Sequence, residues 1–177
     1  YEGAGQGRRA QGWDAPDAAL NAVAIPALPT LRRRSRAAVR NDPYAFSAID
    51  RRVSSLIGTG ITPRARITDP TIRSALNLLW DDWTDEADAD NRTDFYGLQA
   101  VIARVVEESG ECFVRFLMVA PSPTNPIGLR LQVLESDHLD AARQGVIEGV
   151  PTLQGIGLGE AGEPVGYWLH RVHPGAS

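Results

Sequence analysis

Leu31-Arg32-Arg33-Arg34-Ser35-Arg36-Ala37-Ala38-Val39-Arg40-Asn41-Asp42-Pro43-Tyr44-Ala45 decides how the first half of the chain is organised. The spacing predicts a helix over 30–41. Leu28, Leu31, Ser35, Ala38 and Val39 would face inward, with Arg32, Arg33, Arg36 and Arg40 on the other side. Asp42 then reads as an N-cap and Pro43 as the first residue of a second helix, which runs through about Ile57. Ala45, Ile49, Val53 and Leu56 form its apolar face, and Gly58 and Gly60 stop it.

Working outward, residues 1–26 are rich in Gly, Ala and Asp and read as an extended arm with Trp13 as its one large apolar anchor. Downstream, Ile61 to Ile67 alternates like a short strand. Asp69-Pro70 repeats the cap signal and opens a third helix, with Ile72, Leu76, Leu79 and Trp83 on one face and Trp80 beside them. The acids from Asp81 to Asp90 predict a solvated loop or fraying end. A fourth helix spans about Asp94 to Ser109, with Phe95, Leu98, Ile102 and Val105 inward, and Gly110 ends it. Cys112 to Val119 reads as a buried strand. Pro121-Ser122-Pro123-Thr124-Asn125-Pro126 is rich in turn residues, and beyond it helical patterns give way to strands at Leu129 to Leu134, Val146 to Ile147 and Val165 to Val172. The predicted class is α+β, a helical part followed by a small β-rich part.

The bulk composition narrows the function classes. A hydrophobic fraction of 43% suits a folded domain. Cys112 is the only cysteine, so no internal disulfide forms. No apolar run is long enough to span a bilayer, and no N-terminal segment has secretory order. These features predict a soluble protein made in a cytoplasm. Lysine is absent, and every basic residue is arginine. Residues 1–68 hold eleven Arg against five acids, and residues 69–177 hold seven Arg against seventeen acids. That division predicts two surfaces with different partners. Tyr1 at the start and Pro174 to Ser177 at the end suggest a piece of a longer protein.

Reactive constellations are scarce. On a strand, His170 and His173 would point to opposite faces, and no CxxC or HExxH pattern is present, so neither a metal nor a cofactor is expected. The acids at 81–90 have no nucleophile or phosphate cradle beside them. Gly155-Ile156-Gly157-Leu158-Gly159 lacks both GxGxxG spacing and a following helix, and reads as a turn between strands. The positive signal is the arginine stripe of Arg32, Arg36 and Arg40, with Arg33 beside it. It can contact phosphates without reading sequence, or pair with acids of an adjacent subunit. The second reading is preferred, because the stripe is short and lacks interleaved aromatics, and residues 81–90 supply acids in an oligomer. An alternative treats residues 30–57 as a helix-turn-helix DNA-binding module, although Asp42-Pro43 falls where base-reading residues would sit.

The stretch from Leu31 to Ala45 resembles the N-terminal signature of lambda-family phage portal proteins. Further pieces follow in that family's order: Ile57-Gly58-Thr59-Gly60-Ile61-Thr62-Pro63, Trp80 with Trp83, Gly110-Glu111-Cys112-Phe113-Val114-Arg115, Leu131 to Leu139, and Gly162 to Leu169 closed by His173-Pro174-Gly175. One departure is Gly157-Leu158-Gly159-Glu160, where a more acidic turn is expected. The resemblance implies a structural, non-enzymatic subunit of a closed ring, usually of twelve copies, at a capsid vertex of the virion. The ring would be assembled in the bacterial host cytoplasm. Implied partners are the terminase large subunit, head-completion or adaptor proteins, capsid protein and double-stranded DNA passing non-specifically, with no membrane. Residues 1–127 would hold the arm, wing and first stem elements, and residues 128–177 part of the clip.

Overall fold

The structure, a computed structural model, describes residue 8 and residues 17–176. Most of the arm expected over 1–26 lies outside the described residues.

The first helix, α1, spans Leu20–Asn41, so it begins ten residues before the expected start and takes in the last part of the expected arm. Pro26 and Pro29 lie inside it. Each removes one helical N–H, but Ala22, Ala24 and Ala27 favour helix strongly enough to carry the segment through. The phase of α1 also differs from expectation. Arg32, Ser35 and Arg36 are half-buried and Val39 is buried, whereas Leu28, Leu31 and Ala38 are exposed. The surface beneath α1 is acidic, and guanidinium groups find partners there that leucines would not.

Asp42 alone separates α1 from α2, Pro43–Ile57, and its carboxylate accepts the Tyr44 N–H at 2.8 Å. A helix-turn-helix places a three- or four-residue turn here, so this junction is of another kind. The third helix, α3, spans Pro70–Asp85 and is capped by Asp69; the fourth, α4, spans Phe95–Ser109 and is capped by Asp94. The Asp69 cap follows the sequence expectation, and Asp94 caps a helix expected to begin about there. Gly110 closes α4 in the left-handed conformation.

Ile61 to Ile67 forms no strand. Instead Gln99 of α4 takes both backbone groups of Ile61, its Oε1 accepting the N–H at 2.7 Å and its Nε2 donating to the carbonyl at 2.9 Å. Gly60 precedes this contact against the Tyr96 ring, which lies 2.2 Å from where a Cβ would stand.

Strand β1, Cys112–Met118, pairs antiparallel with β2, Leu129–Glu135, in register from Cys112↔Glu135 to Met118↔Leu129. The Pro121–Pro126 stretch is the loop of this hairpin. β1 is less buried than expected: Phe116 is 70% and Met118 77% exposed, on the face of the strand that they share with Val114. The segment after α3 docks on β2 through a parallel bridge at Asp88↔Leu131. It is therefore not a solvated loop, and Ala87 is fully buried.

The core forms where these parts meet. Trp83, Ala87, Leu98 and Leu131 are buried together, with Trp80, Phe95, Leu129 and Val133 packed around them. Trp80, Trp83 and Phe95 form a ring cluster with centroids 5.1–5.2 Å apart, and Trp83 Nε1 donates to the Leu129 carbonyl at 2.8 Å.

After a 3-10 turn at Ser136–His138 the chain forms a four-stranded antiparallel meander in sequential order. Its strands are β3 (Gly145–Ile147), β4 (Val150–Leu153), β5 (Ile156–Leu158) and β6 (Pro164–Tyr167). The expected final strand to Val172 ends at Tyr167, leaving only a bridge at Leu139↔Leu169. Glu148-Gly149 and Gln154-Gly155 both have positive φ, as two-residue type I′ hairpin turns require. The turn expected at Gly155 to Gly159 is therefore confined to Gln154-Gly155, and Ile156 to Leu158 is strand.

Candidate functional site

The arginine stripe of α1 divides into two groups. Arg32 donates to Glu111 and to the Ser109 carbonyl at 3.3 Å. Arg36 donates to the Ser109 hydroxyl at 2.9 Å, to Asp137 at 2.5 Å, and approaches Glu135 at 3.0 Å. These two residues tie α1 to the end of α4, the start of β1 and the exit of β2. Arg33 and Arg40 are exposed and reach only atoms of their own helix: the Pro29 carbonyl and Thr30 hydroxyl for Arg33, the Arg36 carbonyl for Arg40.

Glu135, Asp137 and His173 converge beside Arg36, each offering a potential ligand atom, all within 4.8 Å of one another. The chemistry of this cluster is that of an ion pair. Arg36 already bridges both carboxylates. His173 Nδ1 accepts the Gly175 N–H at 3.0 Å. Burial alone would raise the Asp137 carboxyl, but hydrogen bonding and charge from Arg36 outweigh it and hold the group below the ordinary carboxylate range. Arg36 is raised in turn, first by its bond to Asp137.

A cleft of about 720 Å³ opens beside this cluster, between α1, α2 and α4. Val53 and Val105 line it, and its carboxylates are all held by arginines. Arg104 takes Asp50 at 2.7 Å and Glu108 at 3.5 Å, and Arg36 takes Glu135.

The acids of 81–90 also separate by role. Asp81, Asp82 and Asp85 lie exposed on α3. Glu86 pairs with Arg130 at 2.7 Å. Asp88 is buried and accepts the N–H groups of Asp90, Arg92 and Thr93 at 2.9, 2.9 and 3.1 Å. Burial would raise its carboxyl, but these three bonds and the charge of Arg92 hold it low. Asp88 is thus the organiser of the turn that leads into α4. His170 lies 3.7 Å from Asp140, and His138 Nδ1 lies 3.0 Å from the His170 carbonyl.

Sequence reasoning found the arginines but missed their partners Ser109, Glu111, Glu135 and Asp137. A faint signal existed. Glu135 and Asp137 stand two apart where β2 gives way to the 3-10 turn. Nothing local connects them to Arg36, 101 residues from Asp137 along the chain.

Fold and site together define an α+β chain in which arginine clamps hold a long helix against a small sheet. A family model described as phage portal protein, lambda family, matches residues 6–177. A curated protein named probable portal protein, from Halomonas phage phiHAP-1, is 30% identical over 156 residues, covering 82% of this chain and 30% of the relative. The chain belongs to the lambda family of phage portal proteins. It spans less than a third of that relative's length.

Proposed function

We propose that the chain serves as part of a portal subunit: a structural element of a ring at one capsid vertex, through which double-stranded DNA passes without sequence-specific contact. The observation that carries this reading is the family match over residues 6–177. In the same reading the ring has twelve copies, docks the terminase large subunit during packaging, and then meets head-completion or adaptor proteins, with capsid protein around it. It is assembled in the host cytoplasm and retained in the virion. Residues 1–127 supply wing and first stem elements and residues 128–177 part of the clip, with the β1–β2 hairpin crossing that division. The role is structural and requires no cofactor. Arg32, Arg33, Arg36 and Arg40 are the interface candidates, with Arg33 and Arg40 directed outward.

Two physical features support the proposal. Large apolar side chains stand exposed on several elements, including Leu31, Leu78, Phe116 and Met118, as a subunit with neighbours requires. No helix among the described residues is long and apolar enough to cross a membrane. Negative-stain microscopy of the protein expressed at full gene length is the test. Closed rings are the expected result, and a strictly monomeric protein at micromolar concentration overturns the reading.

A further inference from the structure

Resting on the ring reading above, we propose that the outward stripe of α1 in one copy receives α3 of the next copy, with the two helices parallel. Each helix carries a stripe whose counterpart is absent from its own chain. On α1, Leu28, Leu31, Arg34 and Ala38 recur at helical spacing. Leu31 is 55% exposed, and neither Arg33 nor Arg34 has an acidic partner among the described residues. On α3, Leu78, Asp82 and Asp85 share one face, with Asp81 adjoining. Leu78 is 63% exposed, and none of the three aspartates is in an ion pair among the described residues.

Both stripes run from apolar to charged in the same direction along the chain. Leu28 and Leu31 precede Arg34 on α1, and Leu78 precedes Asp81, Asp82 and Asp85 on α3. A parallel pairing therefore sets leucine against leucine and arginine against aspartate at once. An antiparallel pairing would set each charge against an apolar side chain. Within one chain α1 packs on α2 and α4, and α3 packs on α4, so both stripes stay exposed. The occupant is a second copy of this chain. The two surfaces differ, so the contact is head to tail, the kind that generates a ring when its rotation closes.

The test uses the protein at full gene length and two charge-reversed variants, Arg34→Glu, and Asp82→Arg with Asp85→Arg. All three positions are exposed, and circular dichroism checks that each variant folds. Alone, each variant sets like charges against each other. Sedimentation should then show association weakened at least about tenfold. An equimolar mixture restores opposite charges at every contact and should recover wild-type association and rings. Variants that form rings as readily as wild type overturn the docking and leave the ring reading standing. Loss in both variants without recovery on mixing overturns the docking too. A wild-type protein that forms no rings sinks the ring reading itself, and the docking with it.

Discussion

Asp88 shows how a single side chain can convert an apparent surface run of acids into structure. Its buried carboxylate collects three backbone N–H groups that would otherwise be unpaired beside the core. Asp88→Ala should therefore cost about 3 kcal/mol in urea unfolding, at roughly 1 kcal/mol per lost bond. Asp88 and Asp137 both have carboxyls held below their ordinary range in the folded chain. Such groups stabilise the fold fully above the unfolded carboxylate value, and that contribution is lost as pH falls through the depressed folded one. Thermal stability should hold down to about pH 5 and decline below about pH 4, the ordinary carboxylate range. Asp88→Asn, which cannot take up that proton, should show a shallower acid decline than wild type when melting temperature is followed against pH. For Arg36, replacement by Ala should cost about 2 kcal/mol, less than a fully buried pair because Asp137 keeps some access to water.

Among the elements, helices were the most legible. Asp42-Pro43, Asp69-Pro70 and Asp94 each mark a helix start where one is found, since a cap is a local bond requiring only neighbouring residues. The meander was the least legible. Its strands are three or four residues long, too short for alternation to register, and its first two turns are Glu-Gly and Gln-Gly, weaker signals than Asn-Gly. Gly155 is the position on which the second turn depends. It has φ of +78°, and a Cβ there would lie 2.6 Å from the Asp140 carbonyl oxygen. Gly155→Ala should destabilise the meander by about 2 kcal/mol, combining left-handed strain with the clash. Hydrogen exchange should then show faster exchange in β4 and β5 and little change in α4.

At the scale of the whole molecule, one small core joins the helices to the β1–β2 hairpin. Trp83 sits at its centre, touching Trp80 and Phe95 and donating to the Leu129 carbonyl. Trp83→Ala should cost about 3–5 kcal/mol, and a cooperative loss of α3, α4 and the hairpin in one thermal transition is the expected readout. Much apolar surface lies outside this core, on α1, α3 and β1. On the proposed ring reading, the melting temperature of the protein should rise with its concentration.

By itself the sequence determined the α+β class, the helix starts, the tryptophan pair in the core and the family to which the chain belongs, because each rests on local bonding, on spacing or on an ordered set of motifs. Only the tertiary structure decided which face of α1 turns inward and which arginines remain outside. Helical spacing placed the leucines on the buried side, but burial goes to whichever side chains find complementary partners, and beneath α1 those partners are Glu111, Glu135 and Asp137. They come from segments about a hundred residues or fewer down the chain, brought together by the β1–β2 pairing, and no local pattern records such a meeting.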